Sequence, residues 1–302
     1  MIAAWIPVTI AAAFVQNLRF MLQKHLKATQ LSTGGATFSR FVFSFPLVAA
    51  LALTYGQLSD QALPGLTGTF WIYATLGGLC QILATMCVVA LFARRNFAVG
   101  MTFKKTEAIQ TAIVGYVLLG EGVSPGGAAA LAVGFVGLIL LSDPPDGGAD
   151  GGWARLFNRA AGLGLASGIL FAVSANAYRA ASLSLESGDT FLRASLTLAA
   201  VTAFQTVALG GWLLWRERGE VRRVLRAWRV TALVGIFSMV GSLCWFIAFT
   251  LQTAAYVKAV GQIELVFSYL AGVFVFQEKN TRRELAGIAT LVLSVLMIVL
   301  LR

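Results

Sequence analysis

The chain has 302 residues, 58% of them hydrophobic and 12% charged, with a formal net charge of +10 and a mean hydropathy of +0.80. A soluble domain carries about 25% charged residues, so this composition excludes a cytosolic enzyme and any disordered protein and predicts an integral membrane protein. The basic excess would suggest nucleic acid in a soluble chain, but here its meaning depends on which loops carry it.

In chain order, apolar stretches cover residues 3–23, 35–55, 70–92, 98–119, 123–142, 160–180, 190–214, 230–251, 254–276 and 284–301. At roughly 20 residues per membrane crossing, they predict an all-α integral membrane protein of ten transmembrane helices, numbered here as spans. Span 1 has no basic leader and no small-residue cleavage site, so it is expected to be retained. It runs into Lys24-His25-Leu26-Lys27, where the single histidine is read as solvated rather than catalytic. Pro46 is expected to kink span 2. Cys80, Cys87 and Cys244 fall inside spans and read as small packing residues, with neither disulfide nor metal-ligand spacing. Residues 143–152, Asp-Pro-Pro-Asp-Gly-Gly-Ala-Asp-Gly-Gly, look like a linker between five spans and five. The expected organisation is a five-helix unit at 1–142, a cytoplasmic linker at 143–159 and a second five-helix unit at 160–302.

Loops after odd-numbered spans hold 15 of the 23 Lys and Arg residues, and the opposite side holds Arg302 alone. The positive-inside rule then makes the basic loops cytoplasmic and both termini periplasmic. The net charge is thus a topology signal, and no nucleic-acid partner is implied. The other seven basic residues, Arg19, Arg40, Lys104, Lys105, Arg179, Arg193 and Lys258, lie within spans.

At an offset of 157 the second half aligns Trp228 with Trp71, Gly235 with Gly78, Cys244 with Cys87, Glu264 with Glu107, Gly272 with Gly115 and Glu278 with Glu121. After a four-residue shift, Thr190-Phe191-Leu192-Arg193 matches Thr37-Phe38-Ser39-Arg40. Five is odd, so the second copy enters the membrane inverted, the arrangement that secondary transporters use for alternating access. Loop 56–69 has no Lys or Arg and its counterpart 215–229 has six, as oppositely oriented copies require.

Glu107 and Glu264 lie nine and ten residues into spans 4 and 9, which puts both about 14 Å deep in a hydrocarbon core about 30 Å thick. A charge there costs about 2.5 to 3.5 kcal/mol and usually faces a pathway. Lys104, Glu107, Thr111 and Gly115 share one helix face, as do Gly261, Glu264, Ser268 and Gly272; Lys258, Gln262 and Tyr269 form a second stripe on span 9. Mutual pairing, Lys104 with Glu107 and Lys105 or Lys258 with Glu264, would leave one of three lysines over, and such a lysine suits an anionic substrate group. Gln16, Asn17 and Arg19 on span 1, with Ser167, Ser174, Asn176 and Tyr178 on span 6, are candidates for the same cavity, and Trp245, Tyr256 and Tyr269 for its aromatic walls. Arg40 and Arg193 are expected to snorkel to an interface or to bind helix ends, and Glu121 and Glu278 to be loop or cap residues.

The two five-helix units, Arg40 and Arg193 near the start of each second span, and Gly120-Glu121 and Gln277-Glu278 after each fourth resemble the EamA-type branch of the drug/metabolite transporter superfamily. The resemblance covers nearly the full chain. It implies a central cavity walled by helices 1, 3, 4, 6, 8 and 9, and substrates such as amino acids and related metabolites, mostly exported. Distant nucleotide-sugar relatives place a substrate-contacting lysine in helix 9, and Lys258 resembles a counterpart. The Lys104-Lys105 pair departs from the family's apolar fourth helix and speaks against a purely hydrophobic substrate.

The expected function is secondary active transport of a small zwitterionic or anionic, amino-acid-like metabolite. Transport would run outward across a bacterial inner membrane, by alternating access of the two repeats around a midplane cavity. The expected substrate-binding residues are Asn17, Lys104, Lys105, Glu107, Thr111, Asn176, Trp245, Lys258, Gln262, Glu264, Ser268 and Tyr269. Proton-coupled export of hydrophobic cations is the alternative. The expected partners are the substrate, a coupled proton and the lipid bilayer, with the chain acting as a monomer and needing neither cofactor nor metal. An embedded enzyme is disfavoured, since the chain has no paired-Asp metal motif and no second histidine.

Overall fold

Backbone N–H and C=O groups in hydrocarbon must be satisfied within the segment, which helices do. The computed structural model is accordingly helical, without a strand among the described residues, which are 3–29, 31–91, 104, 106–141, 159–267 and 282–301. The helices are α1 (Trp5–Thr29), α2 (Thr33–Val42), α3 (Ser44–Leu58), α4 (Gly68–Leu91), α5 (Glu107–Leu119), α6 (Pro125–Leu141), α7 (Arg159–Leu183), α8 (Thr190–Arg216), α9 (Glu220–Arg226), α10 (Trp228–Leu251), α11 (Ala254–Gly261) and α12 (Arg282–Leu301). Among the described residues, six stretches are long and apolar enough to cross a membrane: Trp5–Gln23, Thr33–Leu58, Gly68–Leu91, Arg159–Leu183, Thr190–Arg216 and Trp228–Leu251. Three shorter apolar helices, Glu107–Leu119, Pro125–Leu140 and Leu285–Leu300, join them. Large apolar side chains such as Trp215, Val117 and Leu300 stand exposed on the outside of the bundle, where a membrane protein meets lipid. The chain is a multi-pass membrane protein.

Three predicted spans are interrupted. Span 2 breaks at Phe43, between α2 and α3. Pro46 has no N–H to offer the carbonyl four residues back and its ring crowds that carbonyl, so the helix bends one turn ahead of it. Span 9 breaks after Gly261: the N–H groups of Gln262, Ile263 and Leu265 donate to Ala259, Val260 and Gln262, three residues back, at 3.2, 3.1 and 3.0 Å. Helix resumes at 264–267. Span 4 has a turn at Thr106, whose carbonyl accepts from Ile109 at 3.1 Å, and α5 starts at Glu107. The expected continuous stripe from Lys104 to Gly115 is therefore corrected. Glu107 and Glu264 each open the helical segment that follows an interruption. The basic loop 215–229 also contains the short helix α9.

The longest packing interfaces pair α4 with α7, α6 with α12 and α1 with α10; α5 also lies on α7, α11 on α1 and on α5, and α3 on α8. One apolar core gathers Phe70, Tyr178, Leu198, Trp245, Phe246 and Phe249. A second, with Leu26, Phe41, Leu213 and Val224, lies around α2 and α9. At this end the loop before α2 is fastened to the second half of the chain. The Ser32 N–H donates to Glu220 Oε1 at 2.5 Å and its hydroxyl to Glu217.

The other fastened loop precedes α8. Asp189 caps that helix by accepting from the Leu192 N–H at 2.8 Å, and also accepts from the Tyr55 hydroxyl at 2.6 Å and Gln61 Nε2 at 3.1 Å. Partial burial opposes its ionisation, but these donors outweigh it and hold the carboxyl below its ordinary value of 3.8. A lowered folded-state pKa means the stabilisation is complete above the unfolded value and is lost as pH falls through the folded one. Asp189→Ala is expected to cost about 1 kcal/mol, as loss of an N-cap does. In thermal melts, the gap between variant and parent should close below the folded-state pKa.

Candidate functional site

The chemistry converges where the interrupted spans meet α1, α7 and α10. Lys258 Nζ, on α11, lies 2.6 Å from Glu107 Oε1 at the start of α5. Lys104 Nζ lies 3.7 Å from Glu107 Oε2 and 3.5 Å from Glu264 Oε1, so it bridges the two glutamates. From α1, Gln16 donates through Nε2 to Glu264 Oε2 at 2.9 Å, and Asn17 through Nδ2 to the Glu264 carbonyl at 3.0 Å. Trp245 on α10 donates through Nε1 to Gln16 Oε1 at 3.2 Å. Aromatic faces surround the ammonium groups: Lys258 Nζ stands 4.5 Å from the Trp245 ring centroid, 5.6 Å from Phe249 and 5.7 Å from Phe171. Lys104 Nζ lies 5.7 Å from both Phe20 and Phe171. Each cation is thus held by carboxylate on one side and ring quadrupole on the other, which compensates part of its lost hydration.

A cavity lies against this cluster, lined by Gln16, Lys104, Glu107, Ala108, Trp245, Lys258, Gly261, Gln262, Glu264 and Leu265. A second lobe shares Gln16, Trp245 and Lys258 with it and continues to Arg40, Gln81, Ser174, Tyr178 and Ser242.

Of the residues expected from sequence, Asn17, Lys104, Glu107, Trp245, Lys258, Gln262 and Glu264 come together here. Thr111 and Asn176 do not line either lobe. Thr111 donates to the Glu107 carbonyl at 2.7 Å, and Asn176 Nδ2 donates to the carbonyls of Thr111 and Ala172 at 3.1 and 2.9 Å, tying α7 to α5. Lys105, Ser268 and Tyr269, with Glu278, lie outside the described residues. The expected pair of Lys104 with Glu107 is present, but Lys258 joins it on Glu107 rather than taking Glu264, which goes to Lys104. Which lysine meets which glutamate depends on where each helix breaks.

Arg40 corrects the sequence reading most clearly. It does not snorkel; it is 4% exposed, and its guanidinium donates to Ser238 Oγ at 2.9 Å, Thr85 Oγ1 at 3.1 Å and Ser242 Oγ at 3.2 Å. Arg193, which the sequence aligns with it, does bind a helix end, donating to the Ser182 and Leu183 carbonyls at the close of α7 at 3.1 and 3.0 Å. Glu121 is more than a cap. It accepts from Arg179 Nε at 2.8 Å, and Arg179 Nη1 reaches the Phe249 and Gln252 carbonyls at 2.6 and 2.9 Å. That bridge ties α7 to the residues that follow α5 and to the end of α10.

Residues 158–300 match the model of the EamA-like transporter family, part of the drug/metabolite transporter superfamily. No curated protein matches the sequence. Among solved structures 28 chains match, among them one described as "Crystal structure of protein", with a TM-score of 0.64 and 15% identity over 98% of this chain and 96% of that chain. At that identity the likeness is one of fold.

Proposed function

We propose that this chain, an EamA-like transporter of the drug/metabolite superfamily, is a secondary active transporter that exports a small zwitterionic or anionic metabolite across a bacterial inner membrane. The observation that carries this reading is the cluster of Lys104 and Glu107, buried, with Lys258 and Glu264, partly buried, lining a cavity between helices of both halves. Buried ion pairs contribute little net stability compared with apolar packing, so a cluster of this size at membrane depth is better explained by substrate or proton handling.

Alternating access of two inverted five-helix repeats, 1–142 and 160–302, draws support from the packing. Exchanging the halves turns the α4–α7 interface into α10–α1 and α5–α7 into α11–α1, and leaves α3–α8, α5–α11 and α6–α12 paired as before. The family match at 158–300 runs over nearly all of the second repeat. In the cycle the substrate carboxylate would take a lysine from its glutamate, and the freed glutamate would hold the substrate ammonium or a coupled proton. The basic loops face the cytoplasm and the termini the periplasm.

The first test is a thermal-shift screen of amino acids and related metabolites on the purified protein, followed by affinity measurement on the best binder. Lys258→Ala and Glu264→Gln should each weaken binding by about tenfold or more, the loss of one charge-assisted contact. Unchanged affinity in both would remove the site assignment. Proton-coupled export of hydrophobic cations is the second reading, favoured by the engagement of Lys104 and Lys258 in ion pairs. Proton-dependent accumulation of tetraphenylphosphonium in inverted vesicles, without amino-acid binding, would select it.

A further inference from the structure

The charge balance of the cavity changes from one lobe to the other. The first lobe holds Lys104 and Lys258 against Glu107 and Glu264, which is neutral overall. The second is lined by Arg40 and Lys258 and by no carboxylate. Lys258 is already matched by Glu107, so Arg40 is left over. Its three contacts are neutral hydroxyls, which satisfy N–H geometry but not charge. Arg19, 3% exposed, adds to the surplus. It stacks on Phe20 at 4.4 Å, its Nη1 has no hydrogen-bond partner, and among the described residues no carboxylate lies within ion-pair distance of it. Lys104, Lys258 and Arg40, which line the cavity, and Arg19, buried but lining neither lobe, thus stand against Glu107 and Glu264, a surplus of two positive charges among the described residues.

We propose that the Arg40 lobe is an anion subsite that takes the doubly negative head group of an organic oxyanion. The chemistry fits at each contact. A guanidinium presents a planar fork suited to paired oxygens. Ser242 lends its oxygen lone pair to Arg40, so its proton can point into the lobe, while the Tyr178 hydroxyl that also lines it is held by the Gly77 carbonyl and Gln81. Phe171, Phe246 and Phe249 supply apolar walls for the carbon body. A zwitterion leaves the net surplus unchanged, whereas a dianion cancels it. This inference rests on the transporter reading above and narrows its substrate class from zwitterion or anion to dianion.

The test uses the full chain in nanodiscs with five probes: succinate, phenyl phosphate, benzoate, alanine and tetraphenylphosphonium. Succinate and phenyl phosphate are expected to raise the melting temperature and to bind at least about tenfold tighter than benzoate or alanine, the worth of one charge-assisted contact; whichever of the two binds better tells carboxylate from phosphate. Arg40→Gln should lose about tenfold or more of that affinity. Ser242→Asp is the second variant, because it puts a carboxylate beside Arg40 Nη2, now 3.2 Å from the Ser242 oxygen. It should raise the ligand-free melting temperature and abolish dianion binding. Parent-like dianion affinity in Ser242→Asp overturns the subsite and leaves the transporter reading intact, as does a parent that binds alanine as tightly as succinate. A parent that takes neither dianion also overturns the subsite, and if it takes only tetraphenylphosphonium the anion reading falls with it.

Discussion

Replacing Glu107 by Gln is expected to destabilise the protein by about 3 kcal/mol, at the lower end of the cost of removing one member of a buried ion pair, and to stop transport. Glu107 is 7% exposed and is shared by two cations, Lys258 at 2.6 Å and Lys104 at 3.7 Å. The amide preserves shape and one acceptor oxygen, so the loss is electrostatic. Lys258 keeps its aromatic neighbours but has no anion, and Lys104 must rely on Glu264 alone. Removing both charges behaves differently, since two neutral side chains carry no desolvation debt: Glu107→Gln with Lys258→Gln should recover most of the lost stability. Thermal unfolding of the purified single and double variants measures this, and their non-additivity gives the coupling of the pair. Transport should not return in the double variant, because the exchange of partners by Lys258 is the step proposed to admit substrate. A double variant as unstable as the single one would mean that Glu107 matters for packing rather than charge.

The second large effect is steric. A side chain at Gly235 on α10 would run into Phe43, whose carbonyl carbon and Cα would lie 3.1 and 3.2 Å from the new Cβ. Phe43 is the break between α2 and α3, so the obstacle is backbone already bent by Pro46 and not a side chain free to turn away. Gly235→Val is therefore expected to cost about 1 to 3 kcal/mol, the usual penalty for overpacking. It should also separate α10 from α2, drawing Ser238 and Ser242 away from Arg40. Gly162, with open space around its Cβ position, is the control: Gly162→Ala should be neutral or gain about 0.5 to 1 kcal/mol in its helix. Melting temperatures of the two variants decide the matter.

The same glycine illustrates what is legible in the sequence. The alignment at 157 pairs Gly235 with Gly78, yet a Cβ at Gly78 meets the ring of Phe204, a movable side chain. Equivalent letters mark equivalent helices, but the tolerance of each position is a property of its neighbour. Membrane residence, the helical class and the choice of Lys104, Glu107, Lys258 and Glu264 as charges that need partners follow from apolar run lengths, because hydrocarbon tolerates charge only where something compensates it. The pairing within the cluster does not. It depends on the interruptions at Thr106 and at Gln262, and neither carries a proline to announce it. Arg40 escapes a reading by position, because a place near a span start looks like an interface. The available signal is the hydroxyl pair Ser238 and Ser242, one turn apart on span 8, with Thr85 on span 3, three acceptors with no other evident purpose. Arg179 and Glu121 are each visible as charges, but their meeting across 58 residues is a matter of how α7 packs on α5.

The aromatic surround of Lys258 has a consequence for selectivity. Trp245, Phe249 and Phe171 hold its ammonium as such rings hold any organic cation, and the cation they hold is tethered to the same chain. A tethered group competes at an effective concentration of about millimolar or above, so a free cationic compound of ordinary affinity must first evict an occupant that never diffuses away. The lysine is in this sense a built-in competitive inhibitor of cation entry, and one that an anion, by drawing the ammonium toward itself, would relieve.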